Sequence, residues 1–174
     1  MNKLLIVVDM QYDFISGPLG TPEAEKIVPN VVDKIKGWDG DIIVTQDTHG
    51  DDYMDTQEGR KLPVLHCYHR SYGHIIHKDV MDALKGKNVI KFIEKSSFGS
   101  PNIIKSINGK NYGYIEIIGL CTDICVVSNA ILVKCFFPET EITVDASCCA
   151  GVTPKSHKAA LTTMKMCQID VIGE

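Results

Sequence analysis

Residues 115–127, Ile-Glu-Ile-Ile-Gly-Leu-Cys-Thr-Asp-Ile-Cys-Val-Val, decide the fold. The apolar run over 114–118 has the length and β-branched content of a buried strand, and Gly119 ends it. Thr122 and Asp123 are helix-capping residue types, and the apolar run 124–137 follows at once. A strand turning sharply into a helix puts the first helical residues at the carboxyl edge of a sheet, where α/β proteins keep their sites. Cys125 then falls in the first turn, where unpaired N–H groups and the helix dipole favour a thiolate. That is the setting of a nucleophile.

Working outward, strand and helix patterns alternate. Segments 4–8, 42–45, 88–93, 141–144 and 169–172 read as further strands, the first four ending near Asp9, Asp47, Lys95 and Asp145. Helices are predicted over 23–36, with Ile27, Val31, Val32 and Ile35 on one face, over 78–85, within 97–107 and over 155–166. Pro29 argues for a later start to the first of these. Segment 47–76 is long, polar and His-rich, and loops of that length are usually functional or disordered. The alternation predicts one domain over 1–174, a three-layer α/β/α sandwich around a mainly parallel six-stranded sheet. The helix at 124–135 is apolar nearly all round, so it is sandwiched or at a subunit contact, and a homo-oligomer is expected.

A net charge of −4 without a basic cluster makes nucleic acid an unexpected partner. The seven cysteines are odd in number and spread without a secreted framework or zinc-ribbon spacing, which points to reduced thiols in the cytoplasm. Only residues 4–8 are apolar before Asp9, too few for a signal peptide, and no run approaches membrane-spanning length. No membrane association is expected.

Asp9, Lys95 and Cys125 stand at three strand ends, which converge on one edge of a parallel sheet. Singly, each has an ordinary reading as a turn carboxylate, a solvated lysine or a core cysteine. Together they form a working set: Lys95 lowers the thiol pKa and Asp9 takes its proton. Asp47-Thr48-His49 with His66 is a second constellation. A carboxylate and two imidazoles suit Zn²⁺, Fe²⁺ or Mn²⁺ with solvent positions left open. The competing reading makes His49 and His66 polar loop residues, as for His69, His74 and His77, and Cys67 is an alternative ligand. Cys148 and Cys149 read as small buried residues, and Cys135 and Cys167 as core on apolar helical faces. G-x-S-x-G, Walker A and G-x-G-x-x-G patterns are absent.

These residues together resemble the isochorismatase-like cysteine hydrolases, and within them the nicotinamidase branch. Asp9-Met10-Gln11-Tyr12-Asp13-Phe14 resembles the D-x-Q-x-D-F opening, and Gly119 to Val126 the G-x-x-T-D-x-C-V motif around the nucleophile. Lys95 is similar to the catalytic lysine, and Asp47-x-His49 with Leu62-Pro63-Val64-Leu65-His66-Cys67 to the metal segment. The resemblance implies Asp9 as general base, Phe14 in the substrate pocket, and Asp47, His49 and His66 on a divalent metal, zinc first. It also implies a cis peptide between Leu120 and Cys121, and an oxyanion hole from the backbone N–H groups of Cys121 and Cys125. The pocket loops depart from the pattern: Thr48 and Gly50 replace Trp and Pro, and Lys95-Ser96-Ser97-Phe98 is two residues short of K-x-x-x-S-x-F. The family's Q-G-T-x-G after the metal histidine reads His69-Arg70-Ser71-Tyr72-Gly73 here.

What the resemblance implies chemically is hydrolysis of a small amide, with nicotinamide the leading candidate, through a thioester on Cys125. Its rivals are hydrolysis of another amide or of a vinyl ether within the same family, and a non-catalytic metal- or thiol-binding domain. Cys125 counts against the vinyl-ether branch, whose members typically lack that cysteine.

Overall fold

The computed structural model describes residues 2–174. Six strands form one all-parallel sheet: β1 (Asn2–Val8), β2 (Asp41–Asp47), β3 (Asn88–Lys95), β4 (Tyr112–Leu120), β5 (Glu141–Ala150) and β6 (Asp170–Ile172). Their order across the sheet is β3-β2-β1-β4-β5-β6. The chain therefore winds outward from β1 in one direction, then restarts on its other side at β4. A crevice opens beyond the carboxyl ends of the strands where that order reverses, and there a parallel sheet presents its site.

Alternate residues along each buried strand feed two cores. Leu5 and Val7 of β1, with Ile42 and Val44 of β2, pack under helices α2 (Pro22–Gly37) and α4 (Lys78–Leu84). Leu4, Ile6 and Val8, with Ile115 and Ile117 of β4, pack under α5 (Pro101–Ile107), α6 (Val127–Phe136) and α7 (Pro154–Met166). Short helices α1 (Tyr12–Ile15) and α3 (Gln57–Lys61) lie in the loops at the carboxyl edge. The expected three-layer sandwich is what forms. No helix among the described residues is long and apolar enough to cross a membrane.

Several boundaries differ from expectation. Helix α2 begins at Pro22, capped by the Thr21 side chain, and runs through Pro29. Pro29 sits on the exposed face, where the partnerless Glu25 carbonyl is not buried. Strand β5 continues past Asp145 to Ala150, because after a bulge it pairs again with the end of β4 (Gly119 with Cys149, Leu120 with Ala150). Thr122 and Asp123 cap no helix by their side chains; they lie inside a π-type turn, Thr122–Val126, ahead of α6. Cys135 and Cys167 are exposed rather than core, Cys135 in the last turn of α6 and Cys167 just past the end of α7, whereas Cys148 and Cys149 are buried.

Candidate active site

Strand ends β1, β2 and β3 bring Asp9, Asp47 and Lys95 side by side, Asp47 and Lys95 being direct register partners. The chain reverses after β1 through Asp9 itself, whose φ is +49°. That left-handed region is sparsely used by residues with a Cβ, and Asp is among those that tolerate it. The Leu120-Cys121 peptide that leads into the turn is cis. Gly119, at φ +118°, is a position only glycine fits, since a Cβ would stand 2.1 Å from the Val8 carbonyl oxygen.

The three residues meet in a dry cluster. Lys95 Nζ lies 2.7 Å from Asp9 Oδ2 and 3.0 Å from Asp47 Oδ1, and it donates to Cys125 Sγ at 3.4 Å. Asp9 is 0% exposed, and Lys95 and Cys125 are each 5% exposed. Thr45 Oγ1 donates to the other Asp9 oxygen, Oδ1, at 2.6 Å. Complete burial pushes the Asp9 carboxyl above its ordinary pKa despite the Lys95 charge. For Lys95, burial works against the ammonium, but the Asp9 and Asp47 carboxylates outweigh it and keep the group charged. Burial, then the Asp9 carboxylate, push the Cys125 thiol well above its ordinary value, with Lys95 acting the other way. Burial thus works against the thiolate expected of a helix first turn. Desolvation exceeds what the turn can offer, and Cys125 precedes the regular helix. Burial, then Asp123, push Cys121 to about 12, so it is no second thiolate.

Beside this cluster, Asp47, His49, Glu58 and His66 present donor atoms all within 4.8 Å of one another. His49 Nε2 is 2.9 Å and His66 Nε2 3.5 Å from Asp47 Oδ2, and the two nitrogens are 3.8 and 3.9 Å from Glu58 Oε1. Donors around a metal with bonds of about 2.1 Å stand roughly 3–3.5 Å apart, so the set fits a divalent ion with little adjustment. His66 Nδ1 donates to the Val64 carbonyl at 2.8 Å, which fixes the ring with Nε2 directed at the donor set. Burial works against the Asp47 carboxylate, but hydrogen bonds from His49 and His66 and the Lys95 charge hold its pKa well below the usual range.

The 47–76 segment reaches this geometry through local bonds. His49 N–H donates to the Cys67 carbonyl (3.0 Å) and His69 N–H to the His49 carbonyl (2.9 Å), which sets the two ligand stretches parallel. Tyr53 packs on both imidazoles, with ring centroids 4.5 and 5.2 Å away. Thr56 caps α3 through the Gly59 N–H, and α3 delivers Glu58. Buried Gln11 grips Asp47 by its backbone, accepting from its N–H at 2.7 Å and donating to its carbonyl at 2.8 Å.

A cavity of about 180 Å³ joins the two clusters. Cys121 and Cys125 line one part, Asp47, Glu58 and His66 another, and Phe14, Leu19, Leu62, Phe98, Ile124 and Val152 supply apolar walls. Asp9, Phe14, Asp47, His49, His66, Lys95, Cys121 and Cys125 thus lie in or beside one site. Cys67 does not join the donor set; it is buried, and its backbone N–H donates to Asp13 Oδ2 at 2.7 Å. Sequence reasoning missed Glu58 and Thr45. A Thr two residues before an acid, opening a short helical stretch, was the signal for Glu58, and the one hydroxyl in a buried apolar strand was the signal for Thr45.

The family model described as the Isochorismatase domain matches residues 3–173. The chain is 28% identical to a nicotinamidase of Saccharomyces cerevisiae, in an alignment covering 74% of this chain and 80% of that one. Its fold superposes on the nicotinamidase/pyrazinamidase of Bacillus subtilis with a TM-score of 0.86 at 22% identity, covering 99% of this chain and 100% of that one. A pyrazinamidase of Pyrococcus horikoshii in complex with zinc gives 0.84 at 24% identity, covering 100% of both chains.

Proposed function

The chain belongs to the isochorismatase family, and from that premise we propose that it is a cysteine-dependent amidohydrolase converting nicotinamide to nicotinate and ammonia. One observation carries the reading: a single cavity of about 180 Å³ is lined at one part by Cys125, whose thiol meets the buried Lys95 of the Lys95–Asp9 pair, and at another by Asp47, Glu58 and His66 of the four-donor metal-type cluster, with apolar walls between. That is below the roughly 300–1,000 Å³ of drug-sized pockets and suits one ring bearing one carboxamide. The nicotinamidase of yeast and the zinc-bound pyrazinamidase fit the same reading.

On this reading Cys125 is the nucleophile and Asp9 the base. Asp9 takes the Sγ proton as sulfur attacks the amide carbon, which avoids a standing thiolate in a dry site. Lys95, held charged between two carboxylates, steadies the sulfur as its charge develops. The carbonyl oxygen, now an oxyanion, accepts from the backbone N–H groups of Cys121 and Cys125, which are fixed before reaction begins. Asp9 then hands its proton to the amide nitrogen, the C–N bond breaks and ammonia leaves a thioester. Asp9 next deprotonates a water that attacks the thioester, and the departing sulfur recovers a proton. Phe14 and Phe98 flank the ring. Asp47, His49, Glu58 and His66 would hold a divalent metal, zinc on this reading, which would supply a Lewis acid to the ring end of the cavity.

Ammonia release from nicotinamide, measured with and without a chelator, tests the proposal. Release that falls on chelation and returns with zinc is expected. No release from nicotinamide beside release from other amides would discard the substrate and keep the chemistry. A cytoplasmic homo-oligomer belongs to the same reading; half-buried Ile131 and Leu132 and exposed Phe136 on α6 support the assembly, which sedimentation velocity tests.

A further inference from the structure

The nucleophile and a ring wall of the cavity are carried by separate segments, and one buried side chain joins them. Phe98 lines the cavity from the loop after β3, and Cys125 lines it from the turn before α6. Asn129, on α6, is 0% exposed. Its Nδ2 donates to the Cys125 carbonyl at 2.8 Å and to the Phe98 carbonyl at 3.2 Å, while its Oδ1 accepts from the Ser100 N–H at 2.9 Å. Among the described residues, the Phe98 and Ser100 bonds are the only hydrogen bonds between segments 96–100 and 121–129. The Cys125 turn has further anchors, since the Ile124 and Val126 N–H groups both fold back on the Cys121 carbonyl, at 3.1 and 3.0 Å. The Phe98 loop has no other on that side.

We propose that Asn129 is a positioning residue that sets the width of the ring slot, by holding Phe98 at a fixed distance from Cys125. The inference rests on the amidohydrolase reading only for the identity of the ring. Cutting the tie releases the wall and leaves the nucleophile anchored, so substrate fit changes more than bond-making does. Asn129→Thr is the sharpest cut. A Thr hydroxyl can still donate to the carbonyl four residues back, but it is too short to serve the loop as well.

Asn129→Thr is compared with wild type for nicotinamide kinetics, and for alkylation of Cys125 by iodoacetamide and by N-phenyliodoacetamide, followed by peptide mass spectrometry. KM is expected to rise about 3- to 10-fold, the weight of one or two net hydrogen bonds, with kcat within about 2-fold. Wild type is expected to favour the aryl reagent; the variant loses that preference by about the same factor while iodoacetamide reacts at the wild-type rate. In a Phe98→Ala background the substitution adds nothing. Asn129→Asp, which keeps the volume and the Ser100 bond but loses both donors, moves KM in the same direction. A lower melting temperature with KM and aryl preference unmoved marks a structural role and overturns the inference. So does equal loss with both reagents, or a wild type blind to the aryl ring. If wild type releases no ammonia from nicotinamide, the proposed substrate falls, and the alkylation pair still decides Asn129 because it needs no turnover.

Discussion

Two lysines of this chain each stand between two carboxylates, and they differ in what else they touch. Lys95 reaches Asp9 at 2.7 Å and Asp47 at 3.0 Å; Lys34 of α2 reaches Glu116 of β4 at 2.7 Å and Asp145 of β5 at 2.8 Å. The first triad lies at strand ends, beside a thiol and a cavity. The second lies within the strands, and its spare oxygens are spoken for. Tyr114 donates to Glu116 at 2.8 Å, and the Ser147 hydroxyl and N–H to Asp145 at 2.6 and 3.0 Å. The aspartates respond in opposite directions. For Asp145, bonds from Lys34 and Ser147 outweigh burial and lower the pKa; for Asp9, complete burial wins and raises it. A triad whose anions are fully served is a staple from α2 to the sheet. A triad at a dry strand end, with a completely buried carboxyl held above its ordinary pKa, is ready to take a proton.

The comparison breaks most visibly if chemistry does not follow the thiol. Cys125→Ala is expected to cut ammonia release by about 10⁴-fold or more, with the melting temperature nearly unmoved. Activity left intact would sink the scheme. The next effect sets the lysines against each other. Lys95→Gln should lower kcat by roughly 10²–10³-fold, since a charge beside the developing thiolate is lost. Lys34→Gln should leave kcat within about 3-fold, because nothing in its triad borders the cavity. Equal losses in steady-state assays would mean that the two triads are not distinct in function.

The part of the site legible in the sequence is the part carried by buried parallel strands. Such strands are continuous apolar runs that stop at polar residues, so Asp9, Asp47 and Lys95 announced the edge on which they meet. Cys125 was legible for the same reason, although its protonation was not; a capping pattern says nothing of how deeply the turn is buried. Glu58 and Asn129 escaped because their roles depend on chain segments folding back. Glu58 reaches His66 only once α3 is set under Tyr53, and Asn129 reads as one polar residue in an apolar helix until the Phe98 loop docks on it. The far end of β5 escaped because its pairing resumes only after a bulge. The exposure of Cys135 was hidden by a helix apolar on more than its buried side, and that of Cys167 by its place just past the end of α7.

Smaller effects separate the triads by stability. Removing the Lys34 ammonium leaves Glu116 and Asp145 facing each other, both nearly buried. Lys34→Gln should therefore cost about 2–3 kcal/mol in urea unfolding, less than a fully buried pair because the lysine side chain is 25% exposed. The last difference is one of pH. Asp145 has a folded pKa below its unfolded value, so the folded chain binds fewer protons at this group than the unfolded one. It contributes stability that is fully present above about pH 4 and is lost as pH falls through the folded pKa. Asp145→Asn removes that contribution at every pH, so its unfolding free energy should fall less steeply than wild type between about pH 5 and pH 3. Kcat against pH should stay that of wild type in the same variant, because Asp145 has no path to Cys125. Parallel stability curves would mean that Asp145 is not held ionised by Lys34 and Ser147, and the second triad would lose its claim to be a fixed anion pair set against the proton-accepting first.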